Sequence, residues 1–138
     1  MMQEPVPAPS FVSHPIGRVD IAWICVATDD PSQLHLDEPY AVALGHRSVV
    51  VPGTMMVGWM GQYFEDWAGG QDKLRQWRVR FMAPVWPGDA LTFTGQLTAV
   101  EIVDGERRCS AEVFVTAPDG RAVAKAWGSF ATPQEVVQ

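Results

Sequence analysis

The stretch Arg75-Gln76-Trp77-Arg78-Val79-Arg80-Phe81-Met82-Ala83 alternates between apolar and charged side chains, then runs into Pro84-Val85-Trp86-Pro87-Gly88-Asp89. Trp77, Val79 and Phe81 point one way, Arg78 and Arg80 the other. That period of two is the mark of a strand with one buried face. Two prolines and a glycine then break the strand. The pattern returns downstream. Leu91, Phe93, Leu97 and Ala99 alternate with Thr92, Thr94, Gln96 and Thr98. Asp104-Gly105 is a strong hairpin turn pair. Cys109, Ala111, Val113 and Val115 share the next face, Pro118-Asp119-Gly120 turns the chain again, and a last run ends near Ala131. Four strands are predicted, over 74–83, 90–103, 106–116 and 121–131. Such a meander is antiparallel.

Upstream the period changes. Between Thr54 and Ala68, Met56, Met60, Tyr63, Phe64 and Trp67 recur at spacings of three and four. This is a helix with a broad apolar face, which Val57 and Trp59 widen. Thr54 is its expected N-cap and Gly69-Gly70 its stop. Gly58 and Gly61 each cost a helix about 1 kcal/mol against alanine, so something is expected to approach closely there, the sheet or a second subunit. A short helix is expected over 38–44. Residues 20–28 read both ways: Asp20 suits a helix cap, whereas Ile21, Ile24 and Val26 suit a strand. One buried helix and four antiparallel strands make an α+β domain.

The chain has 138 residues and 47% apolar composition, which suits one globular domain. The expected domain is 11–138, behind a loose, proline-rich arm at 1–10 that lacks the basic start of a secretory signal. No apolar run reaches the ~18 residues of a membrane helix, and the expected location is cytoplasmic. A net charge of −6 argues against a nucleic-acid partner. Arg75, Arg78 and Arg80 form the nearest basic cluster, read either as a solvated strand face or as a site for a few phosphates. Cys25 and Cys109 lie in apolar sequence outside any CxxC pair, and read as buried thiols with no metal role.

Asp29-Asp30-Pro31-Ser32-Gln33-Leu34-His35-Leu36-Asp37 is the most reactive-looking stretch. It places an acid and an imidazole in a loop-like segment. Such a pair can hold a water between them and move its proton. The same residues also serve as turn caps, and their spacing alone does not decide between the two. Asp37 and Glu38 fit the start of the following helix. His14 and His46 show no partner in the sequence and read as surface residues. Val49-Val50-Val51-Pro52-Gly53-Thr54 leads an extended apolar run into a helix start. This is either an ordinary turn or a set of free amides able to bind a thioester oxygen.

Taken together, these pieces resemble the MaoC-like (R)-specific enoyl-CoA hydratase/dehydratase family. Asp30-x4-His35 with Asp37 beyond it, Gly53 at a helix head and Pro84-Val85-Trp86-Pro87-Gly88-Asp89 stand at the family's matching places, and the resemblance spans roughly residues 20–131. It implies a hotdog fold, an antiparallel sheet wrapped around a long central helix. It implies hydration of a trans-2-enoyl thioester to the (R)-3-hydroxyacyl thioester, or the reverse, in fatty-acid or other lipid metabolism. Asp30 and His35 would hold and deprotonate the water. Gly53, with Thr54, would bind the thioester oxygen through its amide. Ser32 stands where the family usually has Asn, beside the substrate, and Pro52 where it often has His. The end of the helix, Tyr63 to Gly69, resembles members that act on bulky substrates such as steroid side-chain enoyl-CoAs. The implied partners are an acyl-CoA or acyl-carrier thioester and a second hotdog subunit, identical or related; no cofactor or metal is implied. Two other readings are a hotdog thioesterase, whose acid usually sits on the central helix, and a non-catalytic partner subunit, which would be expected to lack the Asp–His pair.

Overall fold

The computed structural model describes residues 7–132. The element order is β1 (Phe11–Val12), α1 (Arg18–Ala27), α2 (Gln33–Leu36), α3 (Glu38–Ala43), α4 (Gly53–Ala68), a 3-10 turn (Gln71–Lys73), β2 (Leu74–Phe81), β3 (Thr92–Val103), β4 (Glu106–Thr116) and β5 (Ala122–Thr132). The strands form one antiparallel sheet in the order β1-β3-β4-β5-β2. It curls around the 16-residue α4, the hotdog arrangement.

Four of these strands are those expected from the alternation. The fifth, β1, was not, because two residues are too few to show a period. The inner sheet face carries Phe93, Cys109, Ala111, Val113, Val115, Ala124, Ala126 and Phe130, all nearly or fully buried. Against it α4 lays Met56, Met60, Tyr63, Phe64 and Trp67. The ring of Phe64 comes so close to β5 that only glycine fits at 128, where an added Cβ would lie 2.6 Å from Phe64 Cε1. Both cysteines are buried and free.

Several local expectations are corrected. The N-cap of α4 is Pro52, not Thr54, and no side chain caps the helix: proline ends the extended run at φ −59° and the helix begins at Gly53. Gly69 does stop it, in the left-handed conformation at φ 81°. Val57 is not part of the buried face but stands exposed. The two interior glycines part company. Gly61 lies under the Trp77 ring of β2, 3.2 Å from an added Cβ, whereas Gly58 faces open space. Of residues 20–28, all but the C-cap Thr28 are helical, with Ile21 and Cys25 one turn apart on the buried side. Of the expected arm, Ala8 packs against the core and Pro9 accepts a hydrogen bond from Tyr63 at 2.7 Å. Residues 1–6 and the domain's expected end at 133–138 lie outside the described residues. No helix among the described residues is long and apolar enough to cross a membrane.

Candidate active site

Asp30 is placed by the way α1 ends. Asp29 takes the left-handed conformation, φ 52°. Its amide donates to Val26 O at 3.3 Å, and the Asp30 amide donates to Cys25 O at 2.9 Å. This pair of reversed bonds is the Schellman stop, which usually employs glycine at the left-handed position. It turns the chain sharply and leaves the Asp30 side chain half exposed. Ser32 then caps α2, its hydroxyl oxygen accepting from Leu34 N at 3.3 Å. The stretch expected to be a loop thus contains one helical turn, and His35 stands on it. Asp37 caps α3 by accepting from Tyr40 N, as its position suggested.

The His35 ring is largely buried, its side chain 13% exposed. Nδ1 lies 2.6 Å from the carbonyl oxygen of Val50. A carbonyl can only accept, so Nδ1 carries a proton, and in the neutral ring Nε2 is the nitrogen that presents a lone pair. Nε2 faces Asp30 Oδ2 at 3.8 Å. This is too long for a direct hydrogen bond and suits one water held by both groups. Val50 is itself pinned on both sides: its amide donates to Leu34 O at 3.0 Å, and the next amide, of Val51, donates to Val85 O at 2.9 Å.

His35 and Gly53 share the wall of a cavity of about 350 Å³ with Val50, Val51, Met56, Phe81, Met82 and residues 83–85. The lining is apolar apart from the imidazole and main-chain atoms. Phe81 and Met82 are about half exposed at its rim. Asp30 reaches the site through His35. Thr54 is exposed on the first turn of α4 and, like Ser32, does not line the cavity. A larger hollow of about 410 Å³ on the outer sheet face, between Arg78, Trp127 and Ser129, is lined by no histidine or carboxylate.

The other titratable candidates are occupied elsewhere. The Cys25 thiol is pushed up by burial and then by the Asp30 carboxylate, which makes it a poor nucleophile. His14, read from sequence as unpartnered, pairs with Asp20 at 3.1 Å and meets the Trp59 ring. The Gly17 amide, and then His14, holds Asp20 below the usual carboxylate range. His46 stands against Trp86. Two arginines of the basic cluster are engaged: Arg75 binds Glu106, and Arg78 stacks on Trp127 at 4.5 Å. Glu65 and Asp66 lie at the far end of α4 from Gly53, and Asp66 accepts from Gln62. No cluster of metal-ligating side chains occurs among the described residues.

The sheet wraps a glycine-headed helix in the hotdog manner, and His35 and Asp30 face one another beside that helix head. The chain belongs to the MaoC-like dehydratase family: the family model for the MaoC like domain matches residues 4–117. Among curated proteins, it is 33% identical over 80 residues to the 3-oxo-4,17-pregnadiene-20-carboxyl-CoA hydratase beta subunit of Mycobacterium tuberculosis, a match covering 58% of this chain and 62% of that one. It is 28% identical over 127 residues to the UPF0336 protein SCO4636 of Streptomyces coelicolor, covering 86% and 85%. Among solved structures, a chain of the ChsH1-ChsH2 complex from M. tuberculosis superposes with TM-score 0.79 at 25% identity, covering 96% of this chain and 100% of that one. An (R)-hydratase from A. caviae involved in PHA biosynthesis gives 0.81 at 16%, covering 96% and 99%, a likeness of fold.

Proposed function

We propose that this chain adds water across the double bond of a trans-2-enoyl thioester, giving the (R)-3-hydroxyacyl thioester, and catalyses the reverse dehydration. The observation that carries the reading is the Asp30–His35 geometry. One imidazole nitrogen is committed to Val50, so the other faces the carboxylate at 3.8 Å, and one water seated beside the gap can bond to both. That water gives one proton to the pair as its oxygen attacks C3. The proton returns to C2, so atoms and charge balance over the cycle. The amide of Gly53, at the uncapped head of α4 and on the cavity wall, is suited to hold the thioester oxygen as it gains negative charge.

The soft apolar wall of Met56, Phe81 and Met82 favours a bulky acyl group, and coenzyme A is the preferred carrier; the pregnadiene-carboxyl-CoA hydratase relative supports both choices. A second hotdog subunit completes the cleft. Among the described residues, β2 pairs only with β5, Gly58 faces open space, and the cavity rim is exposed. The placement of Glu65 and Asp66 speaks against thioester hydrolysis, and the retained Asp–His pair against a purely non-catalytic subunit.

The test is a hydration assay, read by loss of conjugation, across straight-chain and polycyclic side-chain enoyl-CoAs and their carrier-protein counterparts. Turnover of the bulky CoA thioesters with (R) stereochemistry is expected; hydrolysis to free thiol instead would overturn the reading. Light scattering should give a dimer or a multiple of it, and a 15.2 kDa particle at micromolar concentration would remove the second subunit.

A further inference from the structure

Two peptide units connect the imidazole of His35 to a buried carboxylate. His35 Nδ1–H donates to the Val50 carbonyl at 2.6 Å. The same planar unit carries the Val51 N–H, which donates to the Val85 carbonyl at 2.9 Å. That carbonyl in turn shares its peptide with the Trp86 N–H, which donates to Asp89 Oδ2 at 3.0 Å. Every donor points toward Asp89. A peptide whose N–H donates to an anion carries more negative charge on its own carbonyl, so it accepts more strongly in its turn.

The surroundings preserve the effect. Val51, Val85 and Asp89 are 3%, 1% and 8% exposed, so little water screens the path. Arg121 Nη2 lies 3.1 Å from Asp89, but its Nε binds Asp119 at 2.6 Å. One guanidinium thus serves two carboxylates and leaves part of the negative charge of Asp89 uncompensated. Arg121 Nη1 also donates to Pro84 O at 2.6 Å, so the residues on both sides of Val85 are anchored.

We propose that Asp89 is a positioning residue for His35. Its charge, passed through the Val85–Trp86 and Val50–Val51 peptides, strengthens the Nδ1 hydrogen bond. This keeps Nε2 as the nitrogen turned to Asp30, and it stabilises the imidazolium formed when Nε2 takes a proton. The part of the inference that concerns turnover rests on the hydratase reading. The part that concerns the imidazole does not.

The experiment uses the full chain in whatever assembly it forms, with isotope-labelled histidine, and reads the His35 Nδ1 proton resonance by NMR beside kcat and KM. Asp89→Asn keeps an acceptor for Trp86 N–H but removes the charge; the resonance should move upfield, with kcat several-fold lower at unchanged KM. Arg121→Gln leaves Asp89 less compensated, and the resonance should move downfield. Simple loosening of the loop would weaken the bond in both variants, so shifts in the same direction, or no shift in either, would overturn the proposal. If Asp89→Asn does not fold, the direction seen in Arg121→Gln decides alone. Opposite shifts in a protein that hydrates no enoyl thioester would uphold the relay and reject the hydratase reading.

Discussion

The ring of Phe81 stands where a β-carbon on Gly53 would have to go: an added Cβ would lie 2.9 Å from Phe81 Cζ. The end of β2 and the head of α4 meet at this glycine, on the wall of the candidate cleft. Alanine is the better helix former by about 1 kcal/mol in a helix interior, and Phe81 is half exposed and free to yield. Gly53→Ala should therefore fold with a melting temperature near that of the parent. The displaced ring and the altered helix head should lower kcat/KM by about tenfold or more, since small misplacements at a reacting centre are costly. Phe81→Leu in the same chain should recover part of the loss. Parental rates in Gly53→Ala would show that the substrate does not approach this glycine.

Asp30→Asn and His35→Ala should each reduce kcat/KM about 10²- to 10⁴-fold in steady-state hydration assays, with circular dichroism unchanged. The double variant should lose far less than the product of the two, because the residues act on one water. Ser32→Asn should be tolerated, since asparagine caps a helix as well as serine does, whereas Ser32→Ala should cost about 1 kcal/mol in thermal unfolding. Near-parental turnover by Asp30→Asn would remove the pair from the chemistry.

Asp29 holds a left-handed conformation that glycine adopts more easily. Asp29→Gly should raise stability by about 0.5–1 kcal/mol, the relief of strain being partly offset by the freer unfolded chain. Turnover should hardly change, because the Schellman bonds that set the Asp30 backbone are main-chain bonds. Denaturant unfolding with parallel rate measurements checks both; a destabilised variant would mean that the Asp29 side chain itself supports the turn.

Arg75 and then Arg108 pull the Glu106 carboxyl down to about 2 from an ordinary 4.5. A depressed acid contributes stability above its unfolded value and loses it as pH falls toward its folded value. The melting temperature of the parent should therefore exceed that of Glu106→Gln by a constant margin above pH 4.5, and the gap should close between pH 4.5 and about 2. The margin should be small, because the side chains of Arg75 and Glu106 are 33% and 27% exposed. A gap that persists at the acid end would assign the effect to packing rather than charge.

The strands after residue 74 were legible because the sheet has one wet face, so polar and apolar residues alternate. The N-cap of α4 was misread by two positions because no side chain caps it: Thr54 looked like a cap, yet Pro52 already ends the extended run. Helix α1 was ambiguous because β-branched Ile21, Ile24 and Val26 obscure a buried side that rests on two residues. At the candidate site, Asp30 and His35, which the fold brings face to face, were singled out from residue type, spacing and family resemblance. What aims them could not be. The orientation of His35 is set by the Val50 carbonyl, and Val50 in turn by Leu34 and Val85, through main-chain atoms that every residue carries and no sequence pattern marks.

Asp30 and His35, the main-chain path behind His35 and its charged terminus are all supplied by residues 30–121 of a single chain. A neighbouring subunit would owe the chemistry only a wall. After gene duplication, one copy could shed its own aspartate and histidine without disarming the other, and its freed half of the cleft could then widen to admit a larger acyl group.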